Sequence, residues 1–182
     1  MGRRFRWTVL ALVVVLVTGI VILVITVRPG LQDDAQEVRR SWKPLLQPLA
    51  TRYAALSGVV GALSAAGNRD REITRQLDRT LDEWDLLRTT TDDAEQAATA
   101  DELEGLAARV RAIVQASDRL KATPGITKAL TTFDRATIPP PLVKRYNDAV
   151  LRYERNRDGT LRNIVATLDG YEAHPSLQLT RP

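Results

Sequence analysis

The consecutive residues Arg145, Tyr146, Asn147 and Asp148, followed by Val150 and Tyr153, form the one polar-aromatic constellation that stands out in this 182-residue sequence. On a helix, Tyr146, Val150 and Tyr153 fall at i, i+4 and i+7 and share a face, while Asn147 and Asp148 turn toward solvent or a neighbouring helix. Two readings follow: core packing by the aromatic residues, or a partner-binding patch on the last helix. Two other groups of residues could carry chemistry. His174, the single histidine, precedes Pro175 in a polar C-terminal tail. A zinc site needs three or four ligands, so a lone tail imidazole reads as solvated. Asp92-Asp93 could be a paired-carboxylate site, but the Thr-rich stretch 89–91 before it marks a linker or a helix start.

The chain has no cysteine, which excludes disulfides, thiolate metal sites and cysteine nucleophiles together. It contains no Gly-rich phosphate loop, nucleophile elbow or His-Glu-x-x-His pattern. No catalytic, cofactor-binding or metal-binding residue is assigned, no cofactor is expected, and the chain reads as non-enzymatic.

An apolar run at 8–27 dominates the N-terminal region. Fifteen of its 20 residues are Val, Ile or Leu, and none is charged. As a helix it reaches about 30 Å, the thickness of a bilayer's hydrocarbon core, and each central aliphatic residue favours insertion by roughly 0.3–0.6 kcal/mol. The run is too long for a buried strand. It also exceeds a cleaved signal's apolar region, and it exits through Arg28-Pro29-Gly30 rather than a small-residue cleavage site. It is therefore expected to be an uncleaved signal anchor. Arg3, Arg4 and Arg6 crowd before it, whereas only Arg28 follows closely. That asymmetry puts the N-terminus in the cytoplasm and the remainder outside it. Trp7 sits where an interfacial ring is favoured, so Arg3, Arg4, Arg6, Trp7 and Arg28 are the expected membrane-interface anchors.

The sequence pI near 9.7 invites a nucleic-acid reading, but the charge lies elsewhere. Four of the 26 Lys and Arg flank the apolar run, which leaves 22 against 22 acidic residues. Phosphate binding needs a basic surface of one sign, so nucleic acid is not an expected partner.

After the run, apolar residues recur at Val38, Trp42, Leu45, Leu49, Tyr53, Leu56, Val60 and Leu63, in heptad-like steps. Pro44 suits a first turn, Pro48 should kink the helix or delay its start, and Ala66-Gly67-Asn68 should close it. A second stripe runs through Ile73, Leu77, Leu81, Trp84 and Leu87. A capping box at Thr99 and Glu102 predicts a third helix with Leu103, Leu106, Val110, Ile113, Ser117 and Leu120. Ile126, Leu130 and Phe133 make a short helix after Pro124-Gly125. The last long helix begins near Leu142 beyond three prolines and ends or bends at 156–159, with Leu161, Ile164, Val165 and Leu168 as a further amphipathic piece. No segment alternates as a strand.

The expected fold is all-α: a single N-terminal transmembrane helix followed by an elongated antiparallel helical bundle. Its parts are a short cytoplasmic N-terminus (1–7), the span (8–27), a juxtamembrane linker (28–37), the bundle (38–171) and a C-terminal tail (172–182). The heptad phase fits a monomeric bundle or a self-associating coiled coil.

Two stretches resemble the LemA family of bacterial membrane-anchored helical proteins. Arg145-Tyr146-Asn147-Asp148-Ala149-Val150 with Tyr153, then Leu161, Gly170-Tyr171 and Pro175, is similar to that family's Arg-Tyr-Asn-Asp-Ala-Val-x-x-Tyr-Asn helix and its closing Gly-Phe segment. Trp42, Leu49, Arg52-Tyr53 and Val59-Val60 are similar to its first-helix pattern. The sequence departs at Leu56-Ser57-Gly58, at Tyr153-Glu154 and at the prolines before Arg145. The resemblance implies an N-terminal anchor and a long antiparallel bundle, and brings no defined activity with it.

The expectation is thus a cell-envelope interaction or scaffold protein, single-pass in the cell membrane. Its partners would be the lipid bilayer and a protein or a second copy of itself. An extracytoplasmic small-ligand sensing domain is the alternative, and an envelope enzyme comes third.

Overall fold

A computed structural model describes the backbone of residues 2–67, 71–158 and 173–179, and within the first helix the side chains from Pro29 onward. Leu31, Ala35, Val38, Trp42, Leu45, Leu49, Leu56 and Leu63 step by three, four or seven residues along one face, and all are buried. They belong to a single helix, α1, Gly2–Ala65. The stretch 28–37, expected as a linker, is part of this helix, because Leu31 and Ala35 carry the core stripe two turns further toward the N-terminus. Pro29, Pro44 and Pro48 lie inside α1 without ending it. Pro29 and Pro44 are exposed and Pro48 half-buried, so water can reach the carbonyls that their missing N–H groups leave unpaired.

Five more helices follow: α2 Arg71–Leu87, α3 Asp93–Ala116, α4 Asp118–Lys121, α5 Pro124–Arg135 and α6 Pro140–Arg157. There is no strand among the described residues, and the fold is an all-α bundle. The run at 8–27 has its side chains outside the described residues. Among those described, no helix is long and apolar enough to cross a membrane. The amphipathic piece expected at 161–168 and the Gly170-Tyr171 pair also lie outside them.

Contacts between α1 and its neighbours fix the directions. Trp42, Tyr53 and Arg52 reach Gln96, Ala100 and Glu104 in the same order, so α1 and α3 run parallel. Tyr53 meets Trp84 edge-on at 5.0 Å, which places α2 against α1. The turn at 66–70 makes that pair antiparallel. Glu37 and Trp42 face Arg145 and Tyr146, while Asp34 meets Asn156, so α6 runs antiparallel to α1. Arg119 bonds Ala66 near the end of α1, and Phe133 and Ala136 lie by Arg52. Hence α5 and α6 together form the fourth antiparallel layer.

Three local features depart from the sequence pattern. The α3 helix starts six residues before the expected capping box: Asp92 is its N-cap and accepts from Glu95 N at 3.0 Å. Thr99 and Ala100 are buried inside the helix. Ala97, Ala100 and Ala107 supply the early part of its stripe, and residues this small let backbones approach closely without a marked apolar signal. The Leu103–Leu120 stripe is not one helix either. Ser117 has extended backbone (φ −117°, ψ 110°), ending α3 and capping the single turn α4, and Leu120 still enters the core. The third departure, in the C-terminal tail, is described below.

Gly67 closes α1 as expected, with φ +60° and its N–H bonded to Ser64 O at 3.1 Å. An added Cβ there would meet nothing within 4 Å, so the cost of a side chain is the left-handed backbone alone. Gly67→Ala is expected to destabilise the fold by about 1–2 kcal/mol, read as a lower urea midpoint with unchanged slope.

Candidate functional site

Tyr146, Ala149, Val150 and Tyr153 point inward from α6 and are buried. Tyr146 packs on Trp42 with ring centroids 4.9 Å apart. Arg145 and Asp148 stay on the surface, where Arg145 bonds Glu37 of α1 at 3.1 Å and Asp148 accepts from Lys144 at 2.6 Å. Both pairs are solvent-exposed, where such bonds add at most about 1 kcal/mol. Of the candidate patch Arg145, Tyr146, Asn147, Asp148, Val150 and Tyr153, three side chains therefore build the core and two face solvent. The side chains of the proposed anchors Arg3, Arg4, Arg6, Trp7 and Arg28 lie outside the described residues.

Asn147 does something the sequence pattern gave no hint of. Its amide donates to Leu177 O at 3.0 Å and its carbonyl accepts from Leu177 N at 2.9 Å. One side chain thus satisfies both main-chain groups of a residue 30 positions away. The C-terminal segment 173–179 is not a solvated tail: it lies extended between α3 and α6, running parallel to α3. Tyr146 Oη donates to Pro175 O at 2.9 Å, Gln178 N donates to Asp101, and His174 N donates to Glu154. Leu177 is 2% exposed. His174, expected in solvent, has its imidazole 8% exposed. Its Nε2 lies 3.0 Å from Asp93 Oδ2 and its ring meets Tyr153 edge-on at 5.2 Å. The helical partners that bury it come from α3 and α6, far away in sequence, so the polar flanks of His174 could not reveal them.

The strength of this docking follows from its parts. Burying one leucine contributes about 2–3 kcal/mol, and the five main-chain bonds add about 1 kcal/mol each. Ordering seven residues costs roughly 1–2 kcal/mol apiece. The two sides are of the same size, so the segment is held with little margin.

A second buried polar group lies one layer deeper. Arg52 on α1 is 5% exposed and Glu104 on α3 is 1% exposed. Their side chains pair twice, Nε to Oε1 at 2.6 Å and Nη2 to Oε2 at 2.9 Å. Arg52 Nη1 donates to Ala136 O at 3.1 Å, and the guanidinium lies over the Phe133 ring at 4.0 Å. One arginine thereby joins α1, α3 and the α5–α6 turn. Nearby, Arg111 of α3 pairs with Asp134 of α5. This cluster was absent from the sequence reading, though a signal existed. Arg52 occupies a seam position in the series 45, 49, 52, 56, 59, 63, and Glu104 does so in 97, 100, 104, 107.

A cavity of about 890 Å³ opens between the α5–α6 turn, α6 and the C-terminal segment. Ile138, Val143, Leu177 and Leu179 give it apolar walls, and Arg52 and Asn147 line its polar side. It lies within the size range of small-molecule sites. Among the described residues no group of three or more His, Asp or Glu side chains is placed to hold a metal ion.

Two hydroxyls carry a pH signature. Burial, then the Glu104 carboxylate, pushes Tyr53 well above the ordinary tyrosine value near 10. Burial, then Asp93 and Asp101, does the same to Tyr146. A raised folded-state value means that the folded chain keeps protons the unfolded chain releases. This stabilising term is complete below pH 10 and is lost as pH rises above it. The urea midpoint is expected to fall above about pH 10, and Tyr53→Phe with Tyr146→Phe should flatten that fall.

A scan against protein-family models and searches of curated proteins and solved structures return no match to this chain.

Proposed function

We propose that the chain is a non-enzymatic interaction or scaffold protein of the bacterial cell envelope, LemA-like, tethered by the span at 8–27 with its bundle outside the cytoplasm. The observation that carries this reading is the continuity of α1. One helix, Gly2–Ala65, includes both the charge-free apolar run and the stripe that forms the bundle core. A bundle built on the same helix as its anchor is held at a set height above a membrane. The arginines at 3, 4 and 6 support the orientation, and the Arg145–Val150 segment supports the family resemblance.

Topology is tested on a cysteine-free background. Ser176 is exposed, so Ser176→Cys should react with an impermeant maleimide in intact cells once any outer barrier is opened. Protection until lysis would place the bundle in the cytoplasm. Crosslinking in the native membrane should capture a specific partner, and recovery of nonspecific neighbours alone would defeat the scaffold reading.

The cavity beside Arg52 favours a second reading, an extracytoplasmic domain that senses a small apolar ligand through a partner. That reading expects Val143→Trp to abolish stabilisation by any compound that raises the unfolding temperature of the native chain.

A further inference from the structure

The segment 174–179 sits on its bundle as a separate peptide would. Four side chains hold its main chain: Glu154 at His174, Tyr146 at Pro175, Asn147 at Leu177 and Asp101 at Gln178. Bonds of this kind read an extended backbone in a set register, with Leu177 as the single deeply buried anchor. Nothing in them depends on which chain the segment belongs to. The segment returns to the helix it left, since His174 N meets Glu154 in the last turn of α6. The 14 residues 159–172 make that connection. Fully extended, 14 residues reach about 50 Å, well beyond the length of α6, which is about 27 Å for its 18 residues.

We propose that residues 174–179 of one copy dock in the α3–α6 groove of a second copy, in a reciprocal exchange that forms a two-fold dimer. Each copy gives one segment and offers one groove, so exchange keeps every docking bond of the closed monomer. The small margin that holds the segment in its own groove makes release accessible. The connection's effective concentration favours the monomer in dilute solution, so exchange grows with protein concentration. A shared membrane supplies that concentration. The inference deepens the interaction reading above by naming a second copy as a partner.

Two full-length variants test it in detergent micelles, Ser176→Cys and Asp148→Cys, each with one exposed cysteine beside an intact groove and segment. After concentrated incubation of the mixture, a short bismaleimide should join residue 176 of one chain to residue 148 of the other, as identified by mass spectrometry. Adding Asn147→Ala to both chains should lower that product at least tenfold, with helical circular dichroism retained. Absence of the 148–176 product, or a yield unaffected by Asn147→Ala, would overturn the exchange. A different protein captured in membranes alongside no 148–176 product would sink the exchange and leave the scaffold reading standing.

Discussion

Glu104→Ala is expected to destabilise the bundle by about 3–5 kcal/mol, the cost of stripping a buried charge of its partner. Glu104 takes two bonds from Arg52, and both side chains are almost completely buried. After the substitution the guanidinium keeps the Ala136 carbonyl and the Phe133 face, and neither neutralises its charge. Water would have to enter between α1 and α3, or the helices would have to part. In a chain of this size the loss corresponds to a drop in melting temperature of about 10 °C or more. The companion variant Arg52→Met with Glu104→Leu removes both charges and fills the space with apolar groups. It should recover most of the stability, because a buried pair contributes little over a well-packed apolar replacement. Equal destabilisation of the single and the double variant, measured by urea unfolding, would show that packing rather than unpaired charge sets the cost.

That cluster also shows where legibility in the sequence ended. Helix existence came from one-dimensional spacing, and Val38 to Leu63, Ile73 to Trp84, and Tyr146 to Tyr153 are buried along the expected faces. Spacing describes one face of one helix. It does not say what lies opposite, so Arg52 and Glu104, charged residues at seam positions 52 apart, could not be paired from it. Alanine hid the start of α3 for a related reason: Ala97 and Ala100 pack as fully as leucine does but give a weak apolar signal. Asn147 was legible as an exposed polar residue beside an aromatic face. Its role depends on an extended segment whose own composition, His-Pro-Ser-Leu-Gln, reads as a tail. A segment stabilised by other residues' side chains leaves no periodicity of its own.

Trp42→Ala should be the most damaging apolar substitution, at about 3–5 kcal/mol. Trp42 is 1% exposed and packs on Tyr146, so its loss opens a cavity where α1, α3 and α6 meet. A polar consequence separates it from ordinary cavity formation. Trp42 Nε1 donates to Gln96 Oε1 at 2.7 Å, and Gln96 Nε2 donates to Leu87 O at 2.8 Å and Thr90 O at 3.1 Å. Gln96 therefore satisfies carbonyls at the end of α2 while the indole holds it in place. Trp42→Phe keeps most of the apolar volume and leaves the Gln96 oxygen without its donor, at a cost of about 1–3 kcal/mol. If that account is right, Trp42→Phe should speed hydrogen exchange at the α2–α3 turn, around residues 88–92, more than in α5. Uniform acceleration across both regions would mean that the indole acts through bulk alone. Gln96→Leu in the Trp42→Phe background should add less than it does in the native chain, because the two side chains act as one unit.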